Sequence, residues 1–395
     1  MQVRNIKKMA TETVELYSAY LGLVKFSVDH ETDEENTSEY VTLQSNGPQN
    51  FRRVVTLSSD TAFQQEFDNG EHTFESIRER PAHKVDRTKN KACHDLVYKL
   101  RQRETKTLTE EEKMQFQEAL EELSVVDIHF NTLEFLQMIE SLGYLDNRMF
   151  PNGVYSIANF KKSDSAFNYD FVDAIYYGSG DTLTPLVTAD LVSHELGHSI
   201  TFALVALEYE GESGALSEHF SDVFAMVYEH WLYTKYNENN NKSDDLTITA
   251  DWIVGEELAG FKPKPRLAYR RNFMQPTVYE MPQVYQGPFW RDTDPSAYDQ
   301  GGVHFNSGVG NHWFYLVSQE IGVYCALDVV LQTMSRMGTR QERQNAIDTE
   351  SVLNFRYADY AKALLRERHP VHRFAITKAL DVVGLGTTRW PRSRM

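Results

Sequence analysis

The sequence predicts an α+β chain, its strands gathered early and its helices late. Short apolar and aromatic runs parted by polar breaks fill residues 1–90, and alternating runs return over 149–181. From residue 186 onward the apolar spacing lengthens to that of helices, over 186–206, 214–235 and most of 299–386. At 395 residues, 41% hydrophobic and 25% charged, the chain is long enough for two or three domains with a substantial core.

The composition narrows the function classes. A net charge of −17 offers no broad basic surface, so a nucleic-acid partner is not expected, while the acidity suits bound divalent cations. The two cysteines, Cys93 and Cys325, make no disulfide framework; one bridge and two free thiols both fit. No stretch approaches the length of a membrane span. The opening M-Q-V-R-N-I-K-K-M-A-T-E-T-V-E-L is basic but lacks an apolar core and a small-residue cleavage site. For the chain as written that points to the cytoplasm, or else to a leader outside it. A monomer is the default expectation.

Taken in order, residues 1–90 read as mostly β: V-E-L-Y-S-A-Y-L-G-L-V-K-F-S-V, then Y-V-T-L-Q-S and F-R-R-V-V-T-L on either side of the turn N-G-P. Residues 91–123 read as helical, with a capping box of Thr109 and Glu112 and an apolar stripe of Met114, Phe116, Leu120 and Leu123, as a surface or interaction helix. Residues 124–148 read as a second helix stopping at Gly143, with Asp127 and a structural His129 near its start. Residues 149–181 read as antiparallel strands, 250–300 as loop, and 387–395 as a disordered basic tail behind Gly384 and Gly386. The expected divisions are 1–123, 124–206, 207–386 and 387–395.

The chemistry centres on H-E-L-G-H, from His194 to His198. Residues four apart share a helix face, so the two imidazoles can meet one metal ion, with the Glu195 carboxylate beside the first. A catalytic zinc takes three protein ligands and keeps one open position. Glu218, 20 residues past His198, is the candidate third ligand, far enough on for the chain to turn back into a second helix. Asp222 lies one turn beyond Glu218 on the same face, placed to accept from the other ring nitrogen of His194.

These stretches, D-L-V-S-H-E-L-G-H, E-Y-E-G-E-S-G-A-L-S-E-H-F-S-D-V-F and D-Q-G-G-V-H-F-N-S-G-V-G-N, resemble the thermolysin-like zinc metallopeptidases, from about Ser124 to Leu385. The resemblance implies a β-rich N-terminal domain and a mainly α-helical C-terminal domain, with zinc in the cleft between them. It implies an endopeptidase in which Glu195 moves the proton of an attacking water. Tyr209 and His304 would donate to the developing oxyanion, and Asp299 would orient His304. A short propeptide precedes the β-rich domain in some relatives; residues 1–90 fit either that or the start of the domain itself.

The substrate side follows the same resemblance. An edge strand would bind substrate backbone through the Ala166 carbonyl, although Ser165 stands where the family carries Asn. Arg271, with Arg270 as its rival, would donate to a substrate carbonyl, and a bulky apolar residue would follow the scissile bond. Calcium is implied at Asp190, Glu229, Asp251 and Glu256, although Ile253 replaces one acidic position of the family pattern. The rival reading is a catalytically idle or latent metal-stabilised binding protein on the same fold.

Overall fold

The computed structural model describes residues 9–31, 40–46, 53–69, 73–102, 107–146, 148–169, 174–181, 184–238, 250–258, 270–338, 341–342, 345–346, 349 and 351–386. The chain divides into two compact units. The first is Met1–Val192 with Leu232–Ile248 and Glu257–Pro265; the second is Ser193–Trp231 with Thr249–Glu256 and Arg266–Met395.

The first unit opens with a hairpin of β1 (Met9–Ser18) and β2 (Gly22–Glu31), paired from Met9↔Glu31 to Ser18↔Gly22. Val14 and Leu16 on one strand and Val24, Phe26 and Val28 on the other alternate into the core, the period-two pattern of a sheet with one buried face. Then follow β3 (Tyr40–Thr42), β4 (Gln44–Asn46), β5 (Arg53–Ser58), α1 (Thr61–Asp68), α2 (Phe74–Arg78), β6 (Lys84–Asp86) and α3 (Arg87–Arg101). The predicted N-G-P turn begins at the described Asn46, and its remainder lies outside the described residues.

α4 (Glu110–Ser141) corrects the sequence reading. The Thr109–Glu112 capping box forms at its start, and Gly143, at φ 78°, follows its C-cap Leu142. The helix runs unbroken through the 123/124 boundary at which two helices were expected. Nor is it a surface element. Phe116, Leu120 and Leu123 are buried with Val97 and Leu100 of α3 and with Leu108, and of the predicted stripe Met114 alone is exposed, at 61%.

The polar groups of α4 hold the hairpin. Asp127 accepts from the Ala19 N–H at 2.7 Å, from the Tyr20 N–H at 3.3 Å and from the Ser18 hydroxyl, and burial pushes its carboxyl up to about 7. His129 is fully buried, with Nε2 2.9 Å from Ser45 Oγ and Nδ1 3.0 Å from Thr56 Oγ1. The Ser45 hydroxyl gives its proton to the Ser27 carbonyl at 2.6 Å, so Nε2–H must donate to Ser45; burial holds the ring neutral, so Nδ1 accepts from Thr56. That is a neutral imidazole with both nitrogens used.

β7 (Val154–Ala158), β8 (Ala166–Tyr169) and β9 (Ala174–Tyr177) complete a five-stranded sheet ordered β4-β5-β7-β9-β8. Its three central strands are parallel, where the sequence reading expected an antiparallel set; only the edge strands β4 and β8 run against their neighbours. The chain leaves β7, runs out along the edge as β8 and returns as β9 between the two. β7 and β9 are buried at every position, as central parallel strands are.

The second unit is helical. Within it lie α5 (Ala189–Val205) from Ser193 on and α6 (Gly211–Tyr233) as far as Trp231. A two-residue ribbon of β10 (Ile253–Val254) and β11 (Arg271–Asn272) follows, then α7 (Tyr298–Asn306), α8 (Gly308–Ile321), α9 (Val323–Met334), α10 (Tyr357–Leu364) and α11 (Pro370–Val382). Cys93 and Cys325 are both free thiols. Gly384, at φ 76°, follows the end of α11, and the predicted basic tail lies outside the described residues. No helix among the described residues is long and apolar enough to cross a membrane.

Candidate metal centre

Two adjacent helices of the second unit build the centre. α5 presents His194 and His198 one turn apart, their rings edge-on with centroids 4.8 Å apart. Gly197 lets α6 come close: a Cβ there would lie 2.9 Å from the Ser221 Cα. That approach carries Glu218 and Asp222, themselves one turn apart and fully buried, to the histidines.

The three donors close on one point. His194 Nε2 and His198 Nε2 are 3.2 Å apart, Glu218 Oε2 is 3.5 Å from His194 Nε2, and Glu218 Oε1 is 3.3 Å from His198 Nε2. A tetrahedral ion with bonds of about 2.0–2.1 Å sets its donors about 3.3 Å apart. Two imidazoles and a carboxylate at that spacing fit zinc in both donor type and geometry.

Each ligand has a polar neighbour behind it. Asp222 Oδ1 lies 2.9 Å from His194 Nδ1, and Ser217 Oγ lies 3.3 Å from His198 Nδ1. Arg271, buried on β11, forks between two carboxylates: Nη2 donates to Glu218 Oε2 and Nη1 to Asp222 Oδ1, each at 2.7 Å. Burial works against the Glu218 anion, but His304, Arg271 and His194 outweigh it and hold the carboxyl well below the usual carboxylate range. Burial also raises Glu195; the flanking His194 and His198 oppose that rise and Glu218 adds to it.

Tyr209 and His304 reach the same ligand. The Tyr209 hydroxyl donates to Glu218 Oε1 and lies 3.2 Å from His304 Nε2, which is itself 3.6 Å from Glu218 Oε1. A short left-handed run sets His304. Asp299, Gln300, Gly301 and Gly302 have φ of 61°, 52°, 87° and 72°, a costly conformation for the two non-glycine residues. It turns the Asp299 carboxylate back onto the following helix, where Oδ2 accepts from the His304 N–H at 2.9 Å and Oδ1 lies 2.6 Å from His304 Nδ1. Glycine is required at 302, where a Cβ would fall 2.4 Å from the Arg291 Cβ. Burial lowers the imidazole pKa, but the Glu218 and Asp299 carboxylates outweigh it and hold His304 above its ordinary value.

Of the remaining predicted residues, Ala166 opens the edge strand β8 of the first unit, opposite Tyr177 of β9. Glu229 on α6 and Glu256 in the second unit bring carboxylate oxygens within 4.8 Å of each other, and in the first unit Asp190 and Glu257 do the same. Asp251 is not in that grouping; its carboxylate accepts from the Ile253 N–H at 3.0 Å.

Sequence reasoning missed Ser217, Glu257, His219 and Asn311. His219 stands beside Glu218, but adjacent helix residues point to different faces, so the reading by turns gave it no role. It lies in a buried chain with Asn311, whose side-chain N–H₂ donates to Asp222 Oδ2 at 2.7 Å. Asn311 closes the motif D-Q-G-G-V-H-F-N-S-G-V-G-N; an amide in the first turn of a mostly apolar helix was the signal available.

Two family models match the chain. The catalytic domain of the thermolysin metallopeptidases matches residues 57–202, and their alpha-helical domain matches residues 205–366. The chain belongs to the thermolysin metallopeptidase family. A zinc metalloproteinase of Renibacterium salmoninarum is 34% identical over 152 residues, 38% of this chain and 25% of that one. A thermolysin of Alicyclobacillus acidocaldarius is 33% identical over 165 residues, 41% of this chain and 26% of that one. The chain thus spans about a quarter of the length of these curated relatives. Among solved structures, the precursor of protealysin, a metalloproteinase from Serratia proteamaculans, overlays 67% of this chain and 79% of its own with a TM-score of 0.49 and 19% identity.

Proposed function

We propose that this chain is a zinc-dependent endopeptidase. The observation that carries the reading is the convergence of His194, His198 and Glu218 at tetrahedral donor spacing, with Tyr209 and His304 beside the same carboxylate. His194 Nε2, His198 Nε2 and Glu218 would hold the ion, which when bound polarises a peptide carbonyl and acidifies water.

The chain's own groups do the rest. Glu195, with its pKa raised by burial, is suited to take a proton from the attacking water and return it to the leaving amine. The Tyr209 hydroxyl and His304 Nε2–H, 3.2 Å apart at their heavy atoms, are paired donors for the negative charge that forms on the carbonyl oxygen. Asp299 fixes the His304 ring through Nδ1, and Glu218 and Asp299 together favour its protonated form against burial. The Arg271 fork sets the angle between Glu218 and Asp222, and under this reading it also faces a substrate carbonyl. Edge strand β8 would take an extended peptide through the Ala166 carbonyl, with main-chain bonds giving affinity. A bulky apolar residue after the scissile bond is the proposed preference. The carboxylate pair of Glu229 and Glu256 is proposed to bind calcium, a hard cation suited to oxygen ligands.

The test is hydrolysis of a quenched peptide library by the wild type and by Glu195→Ala, with bound zinc measured in both. Cleavage by the wild type, lost in a variant that keeps its zinc, is the expected result. Full activity in Glu195→Ala, or a wild type that takes up no zinc, defeats the proposal.

A further inference from the structure

Behind the Asp222 carboxylate runs a buried chain of polar groups whose direction is forced at every link. A carboxylate only accepts, so the Asn311 amide must face Asp222 Oδ2 with its N–H₂, at 2.7 Å. Its carbonyl then faces the other way, towards His219 Nδ1 at 3.0 Å. That nitrogen must therefore carry a proton, and in a neutral ring His219 Nε2 is then the acceptor for the Tyr360 hydroxyl at 3.2 Å. His219, Asn311 and Tyr360 are all buried. For a neutral ring, the order Tyr360 to His219 to Asn311 to Asp222 gives each buried group a complement.

The backbone makes room for this ring. A Cβ on residue 310 would lie 2.5 Å from the His219 Cγ and 2.7 Å from its Cδ2 and Nδ1, so Gly310 admits the imidazole beside Asn311. The chain ends where the candidate metal centre begins: Asp222 Oδ1 receives Arg271 at 2.7 Å and lies 2.9 Å from His194 Nδ1.

We propose that His219 is a positioning residue for the metal centre, locking the Asn311 amide so that Asp222 keeps one oxygen for Asn311 and the other for His194 and Arg271. The mechanism is steric and directional. If the amide turned over, its carbonyl would face the carboxylate and its N–H₂ would face the His219 N–H, two repulsive contacts in a dry interior. Without the Nδ1–H one of the two repulsive contacts is gone and the amide carbonyl loses its donor, so the amide, and with it the Asp222 oxygen that it holds, is less firmly fixed beside Arg271 and His194. Partners that orient metal ligands typically contribute about 10–100-fold in metal affinity. His219 acts through an intermediary and is expected at the lower end, about tenfold.

The proposal rests on the zinc reading, and its test separates the two. Zinc affinity is measured by chelator competition on the full chain, stripped and refilled, for the wild type, His219→Met and His219→Gln. Methionine keeps bulk and removes the donor; glutamine keeps an N–H for Asn311 and an acceptor for Tyr360. His219→Met should bind zinc about tenfold more weakly, and His219→Gln should stay within about twofold of the wild type. In an Asn311→Leu background His219→Met should cost nothing further, because its route to Asp222 is already cut. Equal affinities for the methionine and glutamine variants, or the same loss in both backgrounds, overturn the proposal. Should His219→Met not fold, Gly310→Ala carries the test: it displaces the ring without removing a polar group, and unchanged zinc affinity in it overturns the proposal. A wild type that binds no zinc sinks the enzyme reading instead, before His219 is in question.

Discussion

His129 on α4 and His194 on α5 are both buried, and each belongs to a motif pairing acid and imidazole, yet they meet different company. His129 spends its two nitrogens on neutral hydroxyls, Ser45 and Thr56, while its neighbour Asp127 spends its oxygens on the hairpin turn. Burial there pushes the histidine down to about 3 and the aspartate up to about 7, so each is driven towards its neutral form. Around His194 the groups converge on one point. Glu218 is held well below the usual carboxylate range against its own burial, and Arg271 is charged beside it. The lesson is that depth alone does not mark a site. A buried polar set that neutralises itself is structural, and one that holds opposite charges at metal-donor spacing is prepared for chemistry.

Substitutions at the two places should therefore fail in different measurements. The largest effect expected is in turnover. Glu195→Gln keeps shape and removes the base, and kcat should fall about 10²–10⁴-fold with zinc content and melting temperature little changed. Steady-state kinetics with zinc analysis checks this. Next come the paired donors: Tyr209→Phe and His304→Ala should each lower kcat by about 10²–10³ with a smaller change in KM. The pH profile carries the signs. Glu195 must be ionised, and its pKa lies above the ordinary value, so activity falls as pH drops through that raised value. His304 must be protonated, and its pKa is also raised, so activity falls as pH climbs through it. In His304→Ala the alkaline limb should disappear while the acid limb stays.

On α4 the readout is stability instead. The folded-state value of His129, about 3, lies below the ordinary 6.5, so its contribution is present above 6.5 and is lost as pH falls towards 3. At about 1.4 kcal/mol per pH unit, the loss across that window is roughly 3–5 kcal/mol. Relative to the wild type, His129→Leu should gain stability as pH falls from 6.5 to 3, measured by denaturant melts, and should leave kcat of the surviving folded protein unchanged. A kcat loss of tenfold or more in that variant would break the contrast between the two helices.

What the sequence made legible follows the same divide between local and distant. His194, Glu195 and His198 lie within one turn and a half, and Glu218 and Asp222 within one turn of the next helix, so their shared faces could be read from spacing. The chain through His219 could not, because its links join residues 92 and 141 positions apart. α4 was cut in two because residues 123–126 are buried all round, and a helix without a wet face shows no 3.6-residue rhythm. Strand direction in the sheet was misread for a related reason: whether β7 and β9 run parallel depends on the β8 excursion between them, which periodicity does not record.

The smallest effect concerns the pair Glu229 and Glu256, and it separates a cation site from a mere acidic cluster. Their oxygens lie within 4.8 Å of each other, and Glu229 is only 2% exposed. Two carboxylates that close repel unless a proton, a donor or a cation lies between them; if a hard cation does, the sign of a substitution should depend on calcium. At calcium one hundred times its dissociation constant, binding to the folded state alone adds about 2.7 kcal/mol. The wild type should therefore melt several degrees higher in calcium than in chelator. Glu229→Gln should lose that gain in calcium, yet in chelator it should match or exceed the wild type, because the repulsion is gone. A variant that is destabilised equally in both buffers would mean that Glu229 is held by ordinary packing and hydrogen bonds. It would then belong with Asp127 and His129, among the polar groups that the fold uses for itself.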